Sequence, residues 1–195
     1  APNNPTGRSM SEEGVRFVLE NACSVVVIDE AYGEFSGISY AALVKKYSNM
    51  IVLRTFSKAF GLAGARVGYA VADGGLIGIM NRAKPPFNLP VISQLLAQWA
   101  MEEAGEFTAR AERLARARDR LYETLNELDW LDVEPSESNF LYIRSERNVA
   151  SILEGGGVSA RHFARRGNEY CVRVTVGTDE ENRKVSDLLC GAYPK

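Results

Sequence analysis

The chain has 195 residues, 46% of them hydrophobic and 25% charged, enough to bury one large domain or two small ones. A formal net charge of -2 argues against a nucleic-acid partner or an anionic membrane surface, and no apolar stretch is long enough to span a bilayer. Cys23, Cys171 and Cys190 are an odd set without C-x-x-C spacing, which favours reduced thiols in a cytoplasmic protein over a disulfide framework. No signal peptide is visible, and no metal site is expected. The chain opens on Ala1 and runs at once into the turn-rich Asn3-Asn4-Pro5-Thr6-Gly7, a start that suits a fragment.

In chain order, residues 9–22 are predicted to be helical. Ser9 or Ser11 is the candidate cap, Glu12 and Glu13 lie in the first turn, and Val15, Val18 and Leu19 recur at helical spacing. Residues 24–28 form a β-branched run that stops at Asp29-Glu30, and a run apolar at every position reads as a strand covered on both faces. Residues 50–53 and 67–72 repeat the pattern. Helix-like stretches separate at least the first two, which is the α/β pattern of a covered, mostly parallel sheet.

After Pro90 the character changes. Residues 91–103 read as a helix, and Phe107, Ala111, Leu114, Leu121, Leu125 and Leu128 mark one apolar stripe. Arg110, Arg113, Arg116, Arg118 and Arg120 are expected on a solvated face. Residues 139–143 and 170–176 read as strands, and a last helix is predicted over 179–189. This mixture predicts a smaller α+β domain at the C-terminal end. Gly155-Gly156-Gly157 reads as a turn, not a dinucleotide fingerprint.

Three features sit at strand ends, where open α/β sheets place ligands. Asp29 closes the first strand, with Tyr32 three residues on. Ser57-Lys58 follows the second through Arg54-Thr55-Phe56. Arg66 lies eight residues after Lys58, across Gly61 and Gly64. Singly, each has a plainer explanation: a helix cap, a solvated lysine, an arginine paired to a nearby acid. Together they supply what pyridoxal phosphate needs. A lysine can form a Schiff base, a carboxylate can hold a pyridinium proton, and hydroxyls with an arginine can hold a phosphate.

The segments Asn3-Asn4-Pro5-Thr6-Gly7, Asp29-Glu30-Ala31-Tyr32 and Thr55-Phe56-Ser57-Lys58-Ala59-Phe60-Gly61-Leu62-Ala63-Gly64-Ala65-Arg66-Val67-Gly68 carry a resemblance. The chain resembles the class I/II aminotransferases of fold type I, and within them it is most similar to the histidinol-phosphate aminotransferases. Ser138-Asn139-Phe140 and Val172-Arg173-Val174-Thr175-Val176-Gly177-Thr178 continue the match. Ala65 departs from the bulkier residue common before the arginine.

The resemblance implies a cofactor, pyridoxal 5'-phosphate, and a role for each matching residue. Lys58 is implied as the Schiff-base lysine and proton carrier, and Asp29 as the partner of the pyridine nitrogen. Asn4 and Tyr32 are implied as donors to the cofactor's phenolic oxygen, and Thr55, Ser57 and Arg66 as phosphate ligands. Arg173 is implied as the clamp on the substrate carboxylate. Residues 1–105 are then the C-terminal portion of a cofactor-binding large domain, and residues 106–195 the small domain. The resemblance also implies a homodimer, and an N-terminal region supplying a glycine-containing loop and a ring stacked on the cofactor.

Gly157-Val158-Ser159-Ala160-Arg161 lies where histidinol-phosphate aminotransferases carry an arginine near the substrate phosphate, twelve residues before Arg173. This implies histidinol phosphate as amino donor and a 2-oxo acid as acceptor, in histidine biosynthesis. Enzymes acting on aromatic amino acids, or decarboxylating threonine phosphate, share most of these motifs, and a non-enzymatic module of the same fold is a further alternative. His162, the one histidine, reads as a surface neighbour.

Overall fold

The computed structural model describes residues 1–167 and 169–192. Contacts divide the chain into two compact units, Ala1–Pro2 with Ser9–Ala111, and Asn3–Arg8 with Glu112 onward.

The first unit begins with α1 (Glu12–Asn21), and of the two candidate caps Ser11 fills the position: its Oγ accepts from the Gly14 N–H at 3.1 Å. Val15 and Leu19 are its buried face. β1 (Val26–Asp29) pairs in parallel with β2 (Met50–Thr55), setting Asp29 opposite Leu53. The crossover holds the short α2 (Gly33–Ser36) and a 3-10 turn at Ala41–Lys45. Val15, Leu19, Tyr40, Leu43, Tyr47, Met50 and Val52 form the core under this pair.

β3 (Gly68–Ala72) returns antiparallel to β2 with Thr55 opposite Gly68, giving the order β1-β2-β3. The expectation of a β1 covered on both faces is corrected: Val25 and Val27 are 44% and 53% exposed. Helix α1 and its neighbours pack one face of the strand, and the face that carries Val27 is about half exposed.

α3 (Gly74–Ala83) went unread in the sequence because Gly74, Gly75 and Gly78 depress helix propensity. Its Asp73 cap accepts from the Gly75 N–H at 2.8 Å. α4 (Val91–Glu102) and the first residues of α5 (Ala104–Asn126) complete the unit. Ala100 and Phe107 from these helices meet Phe56, Phe60 and Val67 in a second core.

The second unit is an antiparallel sheet in the order β4-β5-β7-β6, built from β4 (Asp132–Glu134), β5 (Phe140–Ser145), β6 (Arg161–Arg166) and β7 (Glu169–Thr175). The remainder of α5, with α6 (Val149–Gly155) and α7 (Asp179–Ala192), supplies its helices. Leu121, Leu125, Leu141, Ile143, Leu153, Val172, Val174 and Leu189 form the core. β4, α6 and β6 had no clear sequence signal. β4 and α6 are short, and β6 is a polar edge strand without apolar alternation.

Two local features correct or sharpen the reading. Arg118 does not join the solvated arginines: it is 7% exposed, and its Nη1 donates to the Ser138 carbonyl at 2.9 Å. Gly7 sits at φ +77°, where a side chain would also strike Ser136, and its carbonyl accepts from the Glu137 N–H at 2.7 Å.

Candidate active site

Six of the nine sequence-selected residues lie in the first unit, at the carboxyl end of its parallel pair. Asp29 is the last residue of β1 and Thr55 the last of β2. Because β1 and β2 run in parallel, the segments that leave them leave the same end of the sheet. Asp29 is exposed, not buried as its proposed role would favour; its Oδ1 accepts from the Ala31 N–H at 2.9 Å. Tyr32 is 8% exposed, and the Lys58 Nζ stands 5.2 Å from the centre of its ring, within cation–π range.

Ser57, Lys58 and Arg66 share a single loop, closed where Thr55 pairs with Gly68. Inside it, the Phe56 N–H donates to the Val67 carbonyl at 3.1 Å, and the Leu62 N–H to the Phe56 carbonyl at 2.9 Å. Phe56 and Phe60 pack as a tilted pair with ring centres 4.9 Å apart and anchor the loop in the core. Thr55 Oγ1 accepts from the Ser57 N–H at 3.1 Å and makes only a long contact, 3.4 Å, to the Val67 carbonyl.

Lys58 and Arg66 are exposed. Arg66 holds a left-handed φ of 56°, uncommon for a residue with a side chain, and its Nη1 donates to the Ala63 carbonyl at 3.0 Å. Gly68 is required at the loop's exit, since an added Cβ would lie 2.8 Å from the Arg54 carbonyl oxygen.

The other three residues lie in the second unit. Arg173 on β7 donates from Nη1 to Asn4 Oδ1 at 2.6 Å, and its guanidinium lies 4.9 Å from the centre of the Phe140 ring. Its Nε is buried and has no hydrogen-bond partner among the described residues. Arg161 on β6 is the register partner of Arg173, so two cations oppose each other on one face of the sheet. His162 is exposed and pairs with Glu154 at 2.8 Å.

A group of residues absent from the sequence reading stands beside the first unit's site. Glu30 is fully buried, and its Oε2 lies 2.8 Å from Arg54 Nε. The other arm of Arg54 reaches Glu34 at 2.7 Å. Burial opposes the Arg54 charge, but Glu34 and Glu30 outweigh it and hold the guanidinium above its ordinary pKa. Tyr69, opposite Arg54 on β3, is pushed up chiefly by burial. The available signal was Arg54 itself, a charge extending the apolar run Met50-Ile51-Val52-Leu53.

The arrangement offers a primary amine, hydroxyls and a guanidinium on one loop beside a carboxylate at a strand end. Separately, it offers two opposed guanidinium groups suited to anions.

Comparison with known proteins places this geometry. A histidinol-phosphate aminotransferase 2 from Archaeoglobus fulgidus is 40% identical over 193 residues, 97% of this chain and 56% of that protein. The histidinol-phosphate aminotransferase of Sinorhizobium meliloti, solved in complex with pyridoxal-5'-phosphate, superposes with a TM-score of 0.83 at 25% identity, covering 96% of this chain and 54% of that one. An L-threonine-O-3-phosphate decarboxylase from Porphyromonas gingivalis superposes with a TM-score of 0.86, also at 25% identity, over 100% of this chain and 63% of its own. The chain thus spans about half the length of the curated relatives it matches. The family described as aminotransferase class I and II matches residues 1–189, and the chain belongs to it.

Proposed function

We propose that this chain carries the pyridoxal-phosphate site of an aminotransferase that acts on histidinol phosphate and 2-oxoglutarate, giving imidazole acetol phosphate and glutamate. The observation that carries the reading is the closed loop bearing Ser57, Lys58 and Arg66 at the same sheet end as Asp29. The donor set fits the cofactor. Ser57 and Arg66 supply phosphate donors, and the Thr55 hydroxyl can exchange its long contact for a phosphate oxygen. Asp29 uses Oδ1 within its own turn, and among the described residues Oδ2 has no partner, leaving it to accept a proton-bearing ring nitrogen.

When bound, the cofactor supplies an electron sink for the charge that develops at the substrate α-carbon. The chain's residues do the rest. Lys58 would hold the cofactor, and its amine is placed to act as the base for the substrate α-proton. The Asp29 carboxylate would hold a proton on the ring nitrogen. The Tyr32 hydroxyl would donate to the cofactor's phenolic oxygen.

Arg173 and Arg161 receive the anionic groups of the substrates. Histidinol phosphate has no carboxylate, so the Arg173 fork meets one only with glutamate or 2-oxoglutarate, while the phosphate draws on Arg161. In this reading residues 1–105 belong to a larger cofactor domain and residues 106–195 to a small one. A homodimer and a cytoplasmic location accompany it. Two exposed free thiols, Cys23 and Cys190, suit a reducing compartment, and among the described residues no helix is long and apolar enough to cross a membrane.

A second reading is decarboxylation of threonine phosphate. Its support is the decarboxylase superposition and the opposed arginines, which match a substrate bearing both a carboxylate and a phosphate.

The test is a visible spectrum of the complete protein with pyridoxal phosphate, then borohydride reduction and peptide mapping. An adduct on Lys58, absent from Lys58→Ala, is expected, with amino transfer from histidinol phosphate to 2-oxoglutarate. No adduct on Lys58 sinks the reading; carbon dioxide release from threonine phosphate, without amino transfer, favours the second.

A further inference from the structure

The cofactor reading requires two chain segments to stay in fixed relation. One carries Asp29 and Tyr32, the other Thr55, Ser57 and Lys58. Strand pairing between them ends early: Asp29 is the last β1 residue in register with β2, opposite Leu53, and a final backbone bond runs from the Glu30 N–H to the Leu53 carbonyl at 2.9 Å. Beyond that point the first segment leaves the sheet as a turn while β2 runs on to Thr55 paired only with β3, so side chains must hold the two segments together.

Glu30 and Arg54 occupy that point. Glu30 follows Asp29 directly, and Arg54 directly precedes Thr55. Glu30 has every oxygen used. Oε1 accepts from the Tyr40 N–H at 2.6 Å and Oε2 from the Ser39 hydroxyl at 2.9 Å, and Oε2 also forms an ion pair with Arg54 Nε at 2.8 Å. The second arm of Arg54 reaches past Tyr32 to Glu34 at 2.7 Å. One guanidinium therefore ties together Glu30 and Glu34, the residues on either side of the segment that carries Tyr32. Gly33 leaves the space for it: a Cβ there would lie 3.3 Å from both Arg54 Cζ and Nη1.

An ion pair this buried is a poor device for stability alone. The desolvation of both charges offsets their attraction, and an apolar pair of similar volume holds a fold as well. Its distinguishing property is direction, because a fork of fixed donors admits one arrangement of its acceptors.

We propose that Glu30 and Arg54 are positioning residues, a buried clamp that sets the spacing between the Asp29 carboxylate and the Lys58 amine. This rests on the cofactor reading above. Neither residue touches the reacting atoms. The clamp acts by fixing where the ring-nitrogen partner stands relative to the lysine, so it governs how firmly the ring nitrogen keeps its proton.

The experiment compares the complete protein, loaded with pyridoxal phosphate, with Glu30→Gln, Arg54→Lys, the triple variant Glu30→Gln/Glu34→Gln/Arg54→Met, and Val15→Ala as a control in the core of the same unit. The pH midpoint of the visible band of the lysine-bound cofactor is read beside the melting temperature of the cofactor-free protein. Both single variants should shift the midpoint upward, because a weakened positive charge on the ring opposes protonation of the neighbouring nitrogen less. Turnover should fall about a hundredfold, the cost of a misplacement near 1 Å. The triple variant, which leaves no carboxylate of the cluster charged and unpaired, should recover melting temperature but not the midpoint, whereas Val15→Ala should lower melting and leave the midpoint in place. Midpoints unchanged in the single variants, or tracking melting temperature across all four variants, would overturn the clamp. A wild-type protein that forms no band at Lys58 overturns the cofactor reading and the clamp with it, a result distinct from a wild-type band with unmoved variants.

Discussion

Arg161 and Arg173 stand directly opposite each other on neighbouring antiparallel strands, one cation facing another across β6 and β7. Like charges so placed cost a few tenths of a kcal/mol to about 1 kcal/mol, a cost an anionic ligand reverses. Replacing Arg161 by Gln is therefore expected to leave the unliganded protein as stable as before, or slightly more so. In the same variant, the Michaelis constant for histidinol phosphate should rise about tenfold or more, the value of a charge-assisted hydrogen bond. Thermal melting with and without substrate, beside steady-state kinetics, checks both halves. An unchanged Michaelis constant would remove Arg161 from the site.

Gly68→Ala tests the closure of the lysine loop. The new methyl would press on the Arg54 carbonyl, a backbone atom that cannot swing aside, so β2 and β3 must part locally. The expected cost is about 1–3 kcal/mol by denaturant titration, as for overpacking elsewhere. Because Thr55 and Gly68 are the paired residues, cofactor retention should fall more than global stability does. Equilibrium dialysis against pyridoxal phosphate measures the difference.

Arg118→Met should destabilise the second unit despite its conservative volume. The side chain is buried, and its Nη1 satisfies the Ser138 carbonyl, which methionine cannot do. A loss of about 1.5–3 kcal/mol is expected for a hydrogen bond from a charged donor. The same change at Arg116, on an exposed turn of α5, should fall within about 0.5 kcal/mol of neutral.

Acid should loosen α7 first at its N-terminus. Glu181 Oε2 accepts from the Thr178 N–H at 2.7 Å and from the Thr178 hydroxyl at 3.0 Å, while the Glu181 N–H donates back to Thr178 Oγ1 at 3.2 Å. The backbone hydrogen bond, then the hydroxyl, hold the carboxyl below its ordinary pKa. A depressed carboxylate contributes stability that is complete above its unfolded-state pKa and lost as pH falls through the folded value. Amide exchange of residues 179–182 should accelerate as pH falls below the ordinary carboxylate range, after correction for intrinsic rates. Glu181→Gln should flatten that dependence.

Much of the fold was legible because its elements carry their own local signals. Residues 50–53 announced β2 by an unbroken apolar run, and Ser11 with Glu12 and Glu13 announced α1. What stayed hidden depends on partners distant in sequence. β6 is polar and exists because β7 pairs with it; Arg118 reads as one of five arginines until the Ser138 carbonyl comes to meet it. The candidate site divides the same way. Lys58 and Arg66 stood out through their spacing and glycines, whereas Glu30 was overshadowed by its neighbour Asp29. Its partner Arg54 lies on another strand, and strand pairing is not written in either segment alone.

The loop closed by Thr55 and Gly68 has one more consequence. Lys58 and Arg66 are delivered by the same tether, so neither can drift in sequence without moving the other. A residue inserted between them would be absorbed by the loop and would reset both the amine and the guanidinium at once. An insertion after β3, near Pro85 or Pro86, lies outside that tether and would leave both where they are. Tolerance to length change should therefore drop sharply at Thr55 and recover only beyond β3, after Ala72, tracing the outline of a cassette whose size is fixed by the strands on either side.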